Sequence, residues 1–356
     1  MIKVIFTLDC EIYGNGDGSP KELLIKPTNK LLDIFDRYNA KLTVFIDVAE
    51  IMKFKEYYEQ YGIDLYNYEE IVNQIHILVK KGHDVQLHLH PSYFNAVYEN
   101  GKWVLDWDEY DLANLTYERI SELLKISKKY LEDIIKLVDP SYKCFAFRAA
   151  NWSMQPSKNA VRALIDNGFI IDTSVFKFGK RSGLVNFDYS KAHSDLMPWR
   201  VSEENICFLD KNSRLIEFPI YSENHYLFKF MSINRLYRVF QSKIHGLKNP
   251  DSVPGATARK NFKKIKNALL TLSNKHAMKM DFNQCTAKQL INGLKSANYK
   301  YSKIDMDLPF VLIGHSRLFN SLNEKSLVSF LGFIAENPNQ YSFGTFGDFK
   351  HLKIIT

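Results

Sequence analysis

The chain opens with Ile2-Lys3-Val4-Ile5-Phe6-Thr7-Leu8-Asp9-Cys10-Glu11, a β-branched and aromatic run that breaks off on two acids. A second stretch of the same design, Asp84-Val85-Gln86-Leu87-His88-Leu89-His90, ends on two histidines. Short apolar runs that stop in polar residues read as strands buried along their length and functional at their ends. Working outward, further strand patterns fall at residues 42–48, 144–149, 169–175, 216–220 and 310–315. Helical patterns lie between them. Pro27-Thr28 opens one whose apolar residues Leu31, Leu32, Phe35 and Tyr38 share a face. Residues 116–138 carry Ile120, Leu123, Leu124, Leu131, Ile134, Ile135 and Val138 at spacings of three and four, closed by Asp139-Pro140. Another spans 157–167. Strand–helix alternation predicts an α/β fold with a mostly parallel sheet and helices outside, and leaves open sheet and barrel undistinguished.

The 356 residues suffice for one such barrel with insertions. With 46% hydrophobic and 24% charged residues, including 25 Phe and 20 Tyr, the chain can bury a large core, which excludes wholesale disorder. No stretch reaches the roughly 20 apolar residues of a membrane span. The N-terminus lacks the pattern of a cleaved leader, so the expected location is the cytoplasm. Four cysteines, Cys10, Cys144, Cys207 and Cys285, are widely spaced without a CxxC pair and read as reduced thiols. The net charge of +7 is uneven: between Lys229 and Lys279 stand 12 Lys or Arg against the single acid Asp251. From about Tyr226 to Tyr301 the pattern, interrupted near Pro250 and Pro254, reads as two or three helices with no convincing strand.

In parallel α/β folds, chemistry gathers at the carboxyl ends of strands. Here those ends carry Asp9 and Glu11, His88 and His90, Arg148, Asp172 and His315. Strand alternation puts His88 and His90 on one face, so both imidazoles can approach one point. Two imidazoles and a carboxylate with open positions make a site for a divalent ion such as zinc, which would acidify water and polarise a carbonyl. Asp9 and Glu11 also share a face, so one can ligate while the other takes a proton. Arg148 could hold the free carboxylate ionised, and His315 could protonate a leaving amine. His83, at a helix-to-strand turn after Gly82, reads as structural.

Taken together, these motifs resemble the polysaccharide deacetylases of the NodB type, carbohydrate esterase family four. Members show TFDDG, a Gly-His-Glu-Ile-Gly-x-His stretch running on to a second histidine, Arg-Pro-Pro-Tyr, Asp-x-Ser and a late Leu-x-x-His. This chain offers, in the same order, Thr7-Leu8-Asp9-Cys10-Glu11, Gly82-His83-Asp84-Val85-Gln86-Leu87-His88-Leu89-His90, Phe147-Arg148-Ala149-Ala150-Asn151, Asp172-Thr173-Ser174 and Leu312-Ile313-Gly314-His315. The resemblance covers roughly residues 1–220 and 305–350. It implies a distorted (β/α)7-type barrel and hydrolysis of an N-acetyl or related acyl group on an aminosugar. It further implies Asp9 as general base, Arg148 orienting it, His315 as general acid, Asp172 supporting His315, and a Zn2+ ligand set. Cys10 stands where the family has its second aspartate, so that ligand role passes to Glu11. Ser92 stands where the second histidine falls, so His90 joins His88 as ligand.

The expected organisation is a first barrel part at 1–224, a helical basic insertion at 225–302 and the last barrel strands and helix at 303–356. Tyr13, Tyr93, Phe94 and above all Trp152 are candidate sugar platforms. The basic insertion suggests contact with an anionic membrane surface or with the phosphates of a lipid-linked or nucleotide-linked aminosugar. Nothing in it carries a nucleic-acid-binding signature. Two alternatives stand beside the metal-dependent deacetylase: a metal-independent amidohydrolase of the same superfamily, and a non-catalytic carbohydrate-binding protein.

Overall fold

A computed structural model describes residues 1–12, 16–232, 235–236 and 274–350. Its strands begin with β1 (Ile2–Cys10), β2 (Leu42–Asp47), β3 (Asp84–Leu89), β4 (Ala146–Ala149), β5 (Ile171–Asp172) and β6 (Ile216–Glu217). They continue with β7 (Ser222–Tyr226), β8 (Lys275–Lys279) and β9 (Leu308–His315). The helices are α1 (Lys26–Arg37), α2 (Val48–Tyr61), α3 (Tyr68–Lys80), α4 (Tyr117–Lys136), α5 (Ser157–Asp166), α6 (Ala287–Lys300) and α7 (Ser321–Ala335).

The principal sheet runs β6-β5-β4-β3-β2-β1-β9 with parallel pairings throughout. Its two ends meet again: Ile220, just past β6, bridges Val311 of β9 in parallel, and the Tyr221 amide donates to the Val311 carbonyl. The sheet thus curls into a distorted (β/α)7-type barrel, with a two-residue antiparallel strand, Trp199–Arg200, added beside β6. Every residue of β2 and β9 is buried, as strands covered on both faces must be. The strand read at 169–175 is reduced to Ile171–Asp172, because Thr173 onward already turns to hold Arg148.

The helices start and stop where local chemistry says they should. Thr116 caps α4 by accepting from the Arg119 amide, and Thr286 and Asn320 close capping boxes on α6 and α7. Apolar faces of α1, α4 and α5 pack on the barrel. All four cysteines are free and buried.

One expectation is corrected. Residues 226–301 were read without a strand, yet Lys275–Lys279 pairs antiparallel with Ser222–Tyr226. Backbone pairing to an available edge makes this strand; its sequence, Lys-His-Ala-Met-Lys, carries no strong alternation of its own. The chain then rejoins the barrel, where Asp281 bridges Ile313 and the Phe282 ring packs over Gly314. A Cβ at Gly314 would lie 2.1 Å from that ring, so only glycine admits it. Most of the lysine-rich stretch, 237–273, and Tyr13 lie outside the described residues. Among the described residues, no helix is long and apolar enough to cross a membrane.

Candidate active site

Register decides which polar residues meet. Parallel pairing sets Asp9 of β1 opposite His315 of β9, and Asp47 of β2 opposite His88 of β3, which in turn lies opposite Arg148 of β4. The carboxyl ends of β1, β2, β3, β4 and β9 therefore converge on one buried cluster.

At its centre, Glu11 Oε2 lies 3.1 Å from His88 Nε2 and 3.2 Å from His90 Nε2. The three ligand-type atoms lie within 4.8 Å of one another, and all three residues are buried. The far side of each imidazole fixes its tautomer. His88 Nδ1 is 2.9 Å from the Arg148 carbonyl oxygen, and His90 Nδ1 is 2.8 Å from Asp47 Oδ2. A carbonyl and a carboxylate can only accept, so both Nδ1 atoms donate, and both Nε2 atoms are left facing the Glu11 oxygen, a contact that is favourable only with a proton or a cation between nitrogen and oxygen. Histidines held from behind in this way are oriented as metal ligands are. Burial pulls the His90 pKa down, but Glu11 and Asp47 raise it above the ordinary value, so the group favours a positive charge at its Nε2.

Asp9 stands beside this trio without joining it. Its Oδ1 accepts from Arg148 Nη1 at 2.7 Å, while Oδ2 faces His315 Nε2 at 3.7 Å. Arg148 is fully buried, donates also to Thr7 Oγ1 and the Thr173 carbonyl, and stacks 4.4 Å from the Phe45 ring centroid. Burial alone would raise the Asp9 carboxyl; Arg148, with His88 and His315, holds it below the usual range. Burial likewise opposes ionisation of Glu11, and Arg317 and His90 overcome it. His315, its amide donating to Asn283 Oδ1 at 2.6 Å, is pushed down to about 4 by burial and by Arg317. It is neutral at neutral pH, with burial and the Arg317 guanidinium opposing a charge on the ring.

Asp172 does not meet His315. Its carboxylate accepts from the amide and hydroxyl of Ser174 and is paired in register with Glu217, whose carboxyl burial and the Asp172 charge raise well above the ordinary value. The pair braces the Thr173-Ser174 turn that holds Arg148 and the Ala149 amide. Tyr93 is also corrected: it is buried, and its hydroxyl donates to Glu50 instead of offering a ring to solvent. Phe94 is partly covered, with the Arg119 guanidinium 5.9 Å from its ring. Trp152 does stand at the site, its ring centroid 6.2 Å from that of His315 and edge-to-face with it. Asn151 and Trp152 hold positive φ, 55° and 59°, a costly backbone kept in place by Tyr189 donating to the Trp152 carbonyl and by Tyr110 on Asn151. The Lys279 ammonium lies 3.0 Å from the Trp152 ring centroid.

Three participants escaped the sequence reading. Asp47 is the last residue of β2, as Asp9 is the last but one of β1, and the same signal could have found it. Arg317, two residues past His315, binds Glu11. Glu50, in the first turn of α2, accepts from the Ile12 amide and Tyr93 hydroxyl; burial and then Asp47 raise its carboxyl well above the usual value. A glutamate at a helix start gives no such hint.

No protein-family model matches the chain, and no curated protein is significantly similar in sequence. Solved structures do match in shape. A probable polysaccharide deacetylase from Pseudomonas aeruginosa PAO1 aligns over 100% of this chain and 93% of its own, with TM-score 0.50 and 13% identity. The likeness is one of fold. The Puue allantoinase matches similarly, over 100% of this chain and 92% of that one, at TM-score 0.50 and 12% identity. A 4-alpha-glucanotransferase from Thermococcus litoralis aligns over 99% of this chain but only 40% of its own, at TM-score 0.52 and 13% identity.

Proposed function

We propose that the protein is a metal-dependent hydrolase that removes an N-acetyl or related acyl group from an aminosugar of a glycan or glycan precursor. The observation that carries this reading is the approach of both Nε2 atoms to one Glu11 oxygen, beside an Asp9 that stays outside the trio. Glu11, His88 and His90 would hold the divalent ion, for which zinc suits the two-nitrogen, one-oxygen set. Such an ion supplies Lewis acidity, polarising the acyl carbonyl and making water a better nucleophile.

The chain's own residues then divide the proton work. Arg148 keeps Asp9 ionised and aims Oδ2 inward, where it can take the proton of an attacking water. His315 Nε2 lies 3.7 Å from that oxygen, near enough to receive the proton after a small rotation and deliver it to the departing sugar nitrogen. Because His315 starts neutral, it acts as a relay and not as an acid charged in advance. Trp152 offers an aromatic edge beside His315 for the sugar. The phosphates of a lipid-linked or nucleotide-linked sugar are natural partners for the chain's excess positive charge.

Acetate release from a panel of N-acetylated glycans, with zinc supplied, tests the proposal. The parent should turn over at least one of them, and Asp9→Asn should lose about 100-fold or more in rate, as removal of a general base does. Background release by both proteins across the panel overturns the reading in favour of a binding protein.

A further inference from the structure

Glu11 presents two oxygens, and they lead different lives. Oε2 faces the imidazoles. Oε1 is bound by Arg317 Nη1, which also reaches the Ile12 carbonyl at 3.0 Å and the Glu11 carbonyl at 3.5 Å. The guanidinium comes from the short turn Ser316–Leu318 that follows β9, so the strand delivering His315 delivers this contact too. The Arg317 side chain is 17% exposed and that of Glu11 5%, so the pair is shielded from water where a charge-assisted contact is strong.

The neighbourhood makes this contact consequential. His315 Nε2 stands 3.7 Å from Asp9 Oδ2 and equally 3.7 Å from Glu11 Oε1. Measured from that histidine, the two carboxylates are interchangeable. They differ in which guanidinium holds them, Arg148 on Asp9 and Arg317 on Glu11. A carboxylate close to a divalent ion can chelate with both oxygens unless one is occupied, and here the half-buried Arg317 guanidinium occupies it.

We propose that Arg317 is a positioning residue that reserves Glu11 Oε1, making Glu11 a one-oxygen ligand and keeping the ligand role on Glu11 and the base role on Asp9. This rests on the metal-dependent reading above. Two consequences follow. A bound ion would keep open positions for substrate, because three protein atoms and not four would be offered to it. The site would also bind an ion less tightly than its ligands alone would allow, because a guanidinium stays nearby.

The first test uses the parent protein: a crystal structure with zinc bound, read at the anomalous zinc position. One Glu11 oxygen on zinc, with Oε1 still on Arg317, supports the proposal. Two Glu11 oxygens on zinc overturn it while leaving the metal-dependent reading intact. Absence of zinc from the Glu11-His88-His90 site overturns both. The second test is zinc affinity by competition calorimetry on Arg317→Met and Arg317→Lys. Release of the second oxygen and loss of a cation should tighten binding about tenfold or more in Arg317→Met. Arg317→Lys keeps a cation at Oε1 and should stay within about threefold of the parent. Unchanged or weaker binding in a folded Arg317→Met overturns the proposal, and if that variant fails to fold the parent crystal still decides.

Discussion

His90 donates through Nδ1 to Asp47, and that bond leaves Nε2 as the only ring atom that can serve Glu11. Asp47 also accepts from the His90 amide, so one buried carboxylate sets both the backbone and the ring. Replacing a carboxylate behind a ligating histidine typically costs 10–100-fold in metal affinity. Asp47→Asn should therefore weaken zinc binding by about tenfold in competition calorimetry; parent-like affinity would show that the charge behind His90 does nothing. At this scale much was legible, because an acid or histidine closing an apolar run is conspicuous in Asp9, Glu11, His88, His90 and His315. What escaped depended on partners distant in sequence. Asp172 carries the same strand-end signal, but only the register that sets it against Glu217 shows that it braces Arg148 and does not touch His315.

Between residues and the barrel stand the joints that hold one strand against the next. His83, in the turn before β3, accepts the Leu42 amide on Nδ1 at 3.0 Å and so pins the start of β2. Accepting requires the neutral ring, and burial together with nearby Lys41 pushes its pKa down to about 4 from the usual 6.5. A group depressed on folding contributes stability that is complete above pH 6.5 and is lost as pH falls toward 4. The loss should reach about 2 kcal/mol between pH 6.5 and 5, at 1.36 kcal/mol per unit. Urea unfolding across this range checks it. His83→Asn, which retains an acceptor for Leu42 without a titrating ring, should flatten that part of the profile, and an unchanged slope would remove His83 as its source. The turn signal Gly82-His83 marked this residue as structural from the sequence. The strand Lys275–Lys279 left no such mark, since its pairing with β7 comes from an available edge and not from its own pattern.

At the scale of the whole molecule, the barrel brings together five strand ends drawn from residues 9 to 315, and neither spacing nor composition could show how closely they pack. Alternating strands and helices made the parallel sheet legible. The barrel was expected from the family resemblance and not from the strand–helix pattern, because closure rests on single bridges at Ile220–Val311 and Asp281–Ile313. The return segment around Phe282 and Asn283, read as part of an appended insertion, turns out to seat Gly314 and the His315 amide. The segment that looked most detachable thus supports a residue of the site. All of this geometry serves one proposition, that Glu11, His88 and His90 hold a divalent ion. Its most direct test is metal content by mass spectrometry of the parent and of a His88→Ala/His90→Ala variant, each loaded with zinc and desalted. The expected result is about one zinc per parent chain and almost none in the variant. Equal zinc in both proteins, or less than about 0.2 per parent chain, would contradict the site.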